Sequence, residues 1–124
     1  MRDSRIQPLF PLSVDGYYRL SYDSHQWMIE RRNILRPQKG KDSGYRGICY
    51  VMVQKSTLLQ KCKRLEIPLT VGAKLKLDLL PDRFLVFRAE IERLGVDAYL
   101  RRLGKRISER LDRTELVELT PQDA

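Results

Sequence analysis

The sequence is poor in the residues that most catalytic and metal-binding sites require. It has one histidine, His25, and two cysteines, Cys49 and Cys62, among 124 residues. These three side chains, at these spacings, do not form a zinc ligand set. A nucleophilic triad could be built only on His25, which lies beside Ser24 in a predicted turn without a nucleophile motif around it. We therefore expect no enzymatic activity, no metal and no other cofactor.

Glycine-rich loops and long apolar runs are also missing. Gly40, Gly44 and Gly47 are too dispersed for a phosphate-binding loop, and no helix follows them directly. No apolar run approaches the roughly 18 residues of a membrane span, and residues 1–8 lack the apolar core of a secretory signal. These features predict a soluble protein of the cytoplasm with no membrane contact. Reduced cysteines in that compartment behave as small apolar side chains, so we expect both to be buried.

Four acidic residues around one predicted helix start raise the question of a metal-dependent nuclease: Asp78, Asp82, Glu90 and Glu92. Two-metal chemistry needs carboxylates that converge on one point. In a helix, Glu90 and Glu92 would point about 200° apart. A solvated helix face is the simpler interpretation, and the nuclease stays a minor alternative.

Positive charge is what the chain has in excess. Lysine and arginine number 24 against 16 acidic residues, which gives a net charge of +8 and a pI near 9.8. Such an excess favours binding to nucleic acid or other anionic surfaces, although many basic proteins bind neither. The 42% hydrophobic and 32% charged composition is that of a globular protein, and the length suits one domain.

Residues 17–53 carry five of the six tyrosines and the only tryptophan. Alternation with period two predicts strands over 17–22 and 27–32, joined as a hairpin by a polar turn. Trp27 alternates with Ile29, which favours burial of the indole over a role as a base-stacking platform. Residues 48–53 are apolar on both faces, as in a central strand. The chain is thus predicted to be α+β, with an N-terminal antiparallel sheet of three or more strands followed by a helical C-terminal half.

The single domain divides into four predicted segments. Residues 1–14 contain two prolines and are predicted to be an irregular arm, 15–54 are β-rich, 55–113 are helical, and 114–124 form a tail. A short strand at 116–119 is an alternative for part of that tail.

Within the helical half, Thr57 and Gln60 fit a capping box at the start of a helix that Pro68 ends. Residues 69–80 suit either a strand or a helix, and we favour a helix. A further helix over 81–94 ends at Gly95, a natural C-cap.

The final predicted helix, 96–113, has an apolar stripe and a basic face. The stripe is typical of packing against helix 81–94, and its regularity also predicts a homodimer across a two-fold axis; it comprises Val96, Leu100, Leu103, Ile107 and Leu111.

The basic face of this helix and the long connection 33–46 together predict contact with the phosphates of DNA or RNA. No helix-turn-helix spacing is evident, so sequence-specific readout is not expected. The alternative is a protein-interaction module that uses the apolar stripe or an exposed sheet edge. The candidate nucleic-acid-binding residues are Arg19, Arg31, Arg32, Arg36, Lys39, Lys41, Arg46, Arg101, Arg102, Lys105 and Arg106.

The order Tyr18-Arg19-Leu20, then residues 27–32, a basic loop, Tyr50 and residues 55–59 resembles short proteins encoded by prophages and other mobile elements. The resemblance covers residues 17–65. Those proteins largely lack an assigned function, so the resemblance implies no site residues. It implies a phage or mobile-element context in the bacterial cytoplasm, and a host protein as the partner under the alternative function.

Overall fold

The computed structural model describes residues 6–32 and 44–119, with side chains as far as Arg110. The described residues confirm the predicted α+β fold: a four-stranded N-terminal sheet is followed by four helices. The strands are β1 (Gln7–Pro11), β2 (Tyr18–Tyr22), β3 (Trp27–Arg32) and β4 (Tyr45–Val51), and the helices are α1 (Lys55–Arg64), α2 (Val71–Leu79), α3 (Phe84–Leu94) and α4 (Val96–Leu119). None of these helices is both long and apolar enough to cross a membrane.

The sheet is an antiparallel meander in which each strand pairs with its neighbour in sequence. The predicted hairpin is confirmed, with Leu20 of β2 opposite Ile29 of β3. Its turn is held by the Asp23 carboxylate, which accepts the backbone N–H groups of His25 at 2.7 Å and Gln26 at 3.1 Å. Because this turn fixes the register, it also fixes which charged residues meet at the other end of the hairpin.

The predicted irregular arm is wrong for part of its length, since Gln7–Pro11 form strand β1. The sequence did not predict this strand because it contains Pro8 and Pro11, and proline is rare inside strands. β1 lies at the edge of the sheet, where a missing N–H is tolerated.

Strand β4 is not the central strand that the apolar run predicted but the other edge of the sheet. It begins at Tyr45, and its register shifts where Gly47 faces Glu30. Tyr50 packs over Gly47 so closely that a Cβ there would lie 2.5 Å from the Tyr50 hydroxyl oxygen. Cys49 lies in this edge strand and is only half-buried, contrary to the expectation, whereas Cys62 is buried as expected.

The helix at 69–80 is confirmed as α2, and the Thr70 hydroxyl caps it by accepting the N–H of Ala73 at 2.9 Å. The capping box at Thr57 is wrong, because α1 already begins at Lys55 without a side-chain cap. Gly95 ends α3 with a φ of 89°, as predicted. The predicted tail is wrong over 114–119, and so is the strand alternative at 116–119, since α4 continues to Leu119.

An aromatic cluster joins the sheet to the helices. Trp27 is fully buried, as its alternation predicts, and its ring centroid lies 5.3 Å from that of Phe84 and 5.5 Å from that of Phe87. Tyr99 of α4 meets Phe87 edge-on at 5.4 Å. Helix α4 packs on α2 and α3, so its basic side faces away from these helices. The core therefore positions a charged helix face at the surface.

Candidate nucleic-acid interface

Three arginines lie at the end of the β3–β4 hairpin, where residues 33–43 connect the strands: Arg31 and Arg46 share one face of the sheet, and Arg32 lies on the other. Arg31 of β3 lies directly opposite Arg46 of β4, and the neighbouring Arg32 lies opposite Tyr45. All three arginines are exposed. We call Arg31, Arg32 and Arg46 the hairpin-end cluster.

Two tyrosines support this cluster. The Arg31 guanidinium lies 5.7 Å from the centroid of the Tyr17 ring, which is within the range of a cation–π contact. The backbone N–H of Arg32 donates to the Tyr17 carbonyl at 2.7 Å. The Tyr45 hydroxyl donates to the carbonyl of Gly16 at 2.6 Å. The strand ends that carry the arginines are thus tied to the segment that leads into β2.

The hairpin-end cluster has no ion-pair partner among the described carboxylates. Asp15 is engaged locally: the Ser13 hydroxyl donates to it at 2.7 Å and the Tyr17 N–H at 2.9 Å. These hydrogen bonds lower the pKa of Asp15, and the charge of Arg32 adds a smaller effect. Like charges directly opposite each other on neighbouring strands are destabilising. Within the described residues, no ion pair therefore compensates the positive charge of the cluster.

Arg19, another predicted site residue, is placed differently. Its Nε donates to Glu30 Oε1 at 2.7 Å, and its guanidinium lies 3.8 Å from the centroid of the Tyr45 ring. The Ser21 hydroxyl donates to the same Glu30 oxygen at 2.6 Å. The Arg19 side chain is 20% exposed and Glu30 is almost fully buried. Arg19 thus holds the sheet together next to the cluster, and whether it also contacts phosphate stays a prediction.

Arg36, Lys39 and Lys41 lie outside the described part of the chain. Their predicted role is unchanged by the structure. By sequence they fall between Arg32 and Arg46, so the chain that carries them starts and ends at the hairpin-end cluster.

A second basic surface lies on α4. Arg101, Arg102, Lys105 and Arg106 are all exposed, and we call them the α4 cluster. None of them forms an ion pair with a described carboxylate. Residues three and four apart share a helix face, so the four side chains form one patch. The main packing contacts of α4 are with α2 and α3 and not with the strands that carry the hairpin-end cluster, so the two clusters lie on different elements of the fold.

The opposite side of α4 is buried within a single chain, with Tyr99, Leu103 and Ile107 facing inward. Tyr99 was missed in the predicted stripe, although its spacing from Leu103 is helical. Leu111 lies beyond the described side chains, and the homodimer based on this stripe stays a prediction.

The four acids considered for nuclease chemistry do not share one site. Asp78 pairs with Arg110 at 3.7 Å, and Asp82 pairs with Lys55 at 3.7 Å. Glu92 pairs with Arg88 one turn away at 3.4 Å. Glu90 lies near Tyr99, whose pKa is raised by burial and further by the Glu90 charge. In the described ranges, no three acidic, histidine or cysteine side chains are grouped as potential metal ligands.

No protein-family model, curated protein or solved structure matches this chain. The resemblance to proteins of mobile elements therefore stays a prediction, and the function has to be argued from charge and geometry.

Proposed function

We propose that the protein binds the phosphate backbone of DNA or RNA without sequence preference, as a non-enzymatic accessory protein. The observation that carries this proposal is the cross-strand pair of Arg31 and Arg46, with Arg32 beside it and no described carboxylate paired to any of them. Folding alone would favour an opposite charge at one of these positions. Bound phosphate would supply the missing negative charge.

Arginine suits this role chemically. Its planar guanidinium donates two parallel hydrogen bonds to one phosphate and remains charged at any physiological pH. The Tyr17 ring beside Arg31 restricts that side chain in the free protein, so less conformational entropy is lost when phosphate binds. Tyr17 and Tyr45 are both half-buried. They support the arginines rather than forming an open platform for bases.

The footprint extends in two directions under this proposal. Arg36, Lys39 and Lys41 follow in residues 33–43, and the α4 cluster supplies a second patch. Because the described contacts do not join the two clusters, each is tested with its own variant.

The sharpest variant for the hairpin end is Arg46→Glu. It replaces a like-charge cross-strand pair with an opposite-charge pair, so we expect the free energy of unfolding to rise by about 0.2–1 kcal/mol. Nucleic-acid affinity should nevertheless fall, on the order of tenfold, because one phosphate contact becomes a repulsion. Urea unfolding and fluorescence anisotropy with labelled DNA and RNA measure the two effects. A more stable protein that binds less tightly cannot have lost affinity through unfolding.

Two further variants control for charge. Arg46→Gln should give an intermediate affinity, because it removes the cation without adding an anion. The double variant Lys63→Glu/Lys74→Glu changes the net charge twice as much, on α1 and α2, and should affect binding less than Arg46→Glu. An equal or greater loss in that control would mean that only net charge matters, and would overturn the assignment of the site.

A second candidate is a protein-interaction module, favoured by an exposed apolar surface beside the open edge of β4. Met52 and Val53 follow this strand, and Leu85 and Val86 lie at the start of α3; all four are more than half exposed. The carbonyl of Val53 accepts the Phe84 N–H at 2.9 Å, which holds the two segments side by side. The fitting partner is a protein that adds an apolar strand flanked by acidic residues. Its binding should survive Arg46→Gln and fail with Met52→Glu.

A further inference from the structure

A cavity of about 760 Å³ lies between α1 and α2 and the segment that connects them. Its size falls within the range of about 300–1,000 Å³ that is typical of small-ligand pockets. The apolar part of its wall is formed by Leu59, Cys62, Ile67, Leu69, Leu75 and Leu77. Burial raises the pKa of Cys62 to about 11, so its thiol is a neutral part of this wall at physiological pH.

Charged side chains surround the apolar wall. Lys63 and Lys74 line the cavity, are exposed, and form no ion pair with a described carboxylate. Of the two acids that also line it, Asp78 is neutralised by Arg110 at 3.7 Å. Glu66 is the remaining negative charge. The two lysines and two acids of the lining sum to zero, and Arg110, which pairs with Asp78 from outside the lining, brings the local sum to one positive charge.

From this combination we propose that the cavity binds a small amphipathic anion: an apolar chain or ring system that carries one carboxylate. The apolar part would lie against Leu59, Leu75 and Leu77, and the carboxylate would be held by Lys63 and Lys74. A single negative charge fits best, because Glu66 would repel a second one. This site is distinct from both basic clusters and does not depend on the proposed nucleic-acid binding.

Dodecanoate is a suitable probe, because it has a flexible apolar chain and one carboxylate. Isothermal titration of the full chain, below the concentration at which dodecanoate forms micelles, should give a dissociation constant on the order of 0.1 mM. Dodecan-1-ol and dodecyltrimethylammonium have the same chain with a neutral and a cationic head. The alcohol should bind more weakly than dodecanoate, and the cation more weakly still.

Variants distinguish dodecanoate binding in the cavity from adsorption elsewhere on a basic protein. Lys63→Glu/Lys74→Glu should weaken dodecanoate binding on the order of tenfold and leave the alcohol nearly unchanged. The matched control is Arg101→Glu/Lys105→Glu, which makes the same change in net charge on α4 and should leave dodecanoate binding intact. Leu75→Trp fills the half-buried wall and should abolish binding of both probes.

A second measurement leaves the lining of the cavity unchanged, and it tests the proposal even if the Leu75→Trp variant does not fold. In a Cys49→Ser background, Cys62 is the only thiol, and saturating dodecanoate should slow its alkylation by iodoacetamide at least severalfold, because ligand and reagent compete for the same space. No dodecanoate binding, equal binding by the two charge variants, or unchanged alkylation at saturation would overturn the proposal.

Discussion

Among single residues, Glu30 links β3 to β2 next to the hairpin-end cluster. The residue is 3% exposed, and its carboxylate accepts hydrogen bonds from Arg19 and Ser21 on the neighbouring strand. A buried carboxylate is tolerated only when it is paired and hydrogen-bonded, as here. This interaction pairs Arg19 with a carboxylate, whereas Arg31, Arg32 and Arg46 at the same end of the sheet form no ion pair with a described carboxylate.

Glu30→Ala should therefore lower the free energy of unfolding by about 2–4 kcal/mol, because it leaves the Arg19 charge and the Ser21 hydroxyl without their partner. Urea denaturation measures this change. Glu92→Ala is the matched control: it removes an exposed carboxylate that pairs with Arg88 within one helix, and should cost less than about 0.5 kcal/mol. Similar losses of unfolding free energy in the two variants would show that the buried hydrogen bonds of Glu30 stabilise the protein no more than the exposed ion pair of Glu92.

For single residues, the sequence predicts whether a side chain is buried better than it predicts which residue that side chain pairs with. The alternation of Trp27 with Ile29 correctly predicted a buried indole. Arg19 was predicted to bind nucleic acid without any expectation of its pairing with Glu30, because the period of a strand does not show which residue lies across from it. The pairing of Arg19 with Glu30 depends on the register of β2 against β3.

At the scale of secondary-structure elements, helix starts show how local signals compete with tertiary structure. Thr57 matches a capping motif, yet α1 begins at Lys55, whose N–H donates to the carbonyl of Asp82 at 2.7 Å. Its ammonium group also donates to the carbonyls of Asp78 and Leu80 at the end of α2. These long-range hydrogen bonds set the start of α1, and no local motif encodes them.

Thr70 caps α2, whereas Thr57 caps no helix, so the stabilities of alanine variants at these two threonines can be compared directly. Thr70→Ala should lower the free energy of unfolding by about 1 kcal/mol, since the N–H of Ala73 loses its acceptor, and Thr70→Ser should recover most of that loss. Thr57→Ala should change stability by less than about 0.5 kcal/mol, because alanine is a better helix former and no cap is lost. Chemical denaturation of the three variants checks this, and a larger loss at Thr57 would contradict the assigned start of α1.

The strands at the two edges were the elements hardest to predict. Prolines hid β1, and the register shift at Gly47 interrupts the alternation that would have revealed the start of β4. Helices α3 and α4 were predictable because their apolar periodicity is long and regular, whereas the sequence of α2 suited either a strand or a helix. The ends of the helices were less predictable than their existence, as the start of α1 shows.

At the scale of the whole molecule, exposed cations of the described residues form two clusters on different elements, one at the β3–β4 hairpin end and one on α4. The sequence could identify the cations of both clusters but not which of them meet. Arg31 and Arg46 are fifteen positions apart in the chain, and their opposition depends on the shifted register of β3 against β4. The α4 cluster was easier to predict, because its members follow one helix face. The cavity could not be predicted at all, since it depends on how α1 and α2 pack.

The salt dependence of nucleic-acid binding tests the phosphate-contact account most directly. Plotted as log K against log salt concentration, binding of random-sequence duplex DNA should be linear with a negative slope of about 0.9 per phosphate contacted. Arg46→Glu should reduce the magnitude of that slope by about 1, and Arg101→Glu/Lys105→Glu by about 2, if each residue contacts one phosphate. A slope that neither variant changes, or binding that does not depend on salt, would contradict the account.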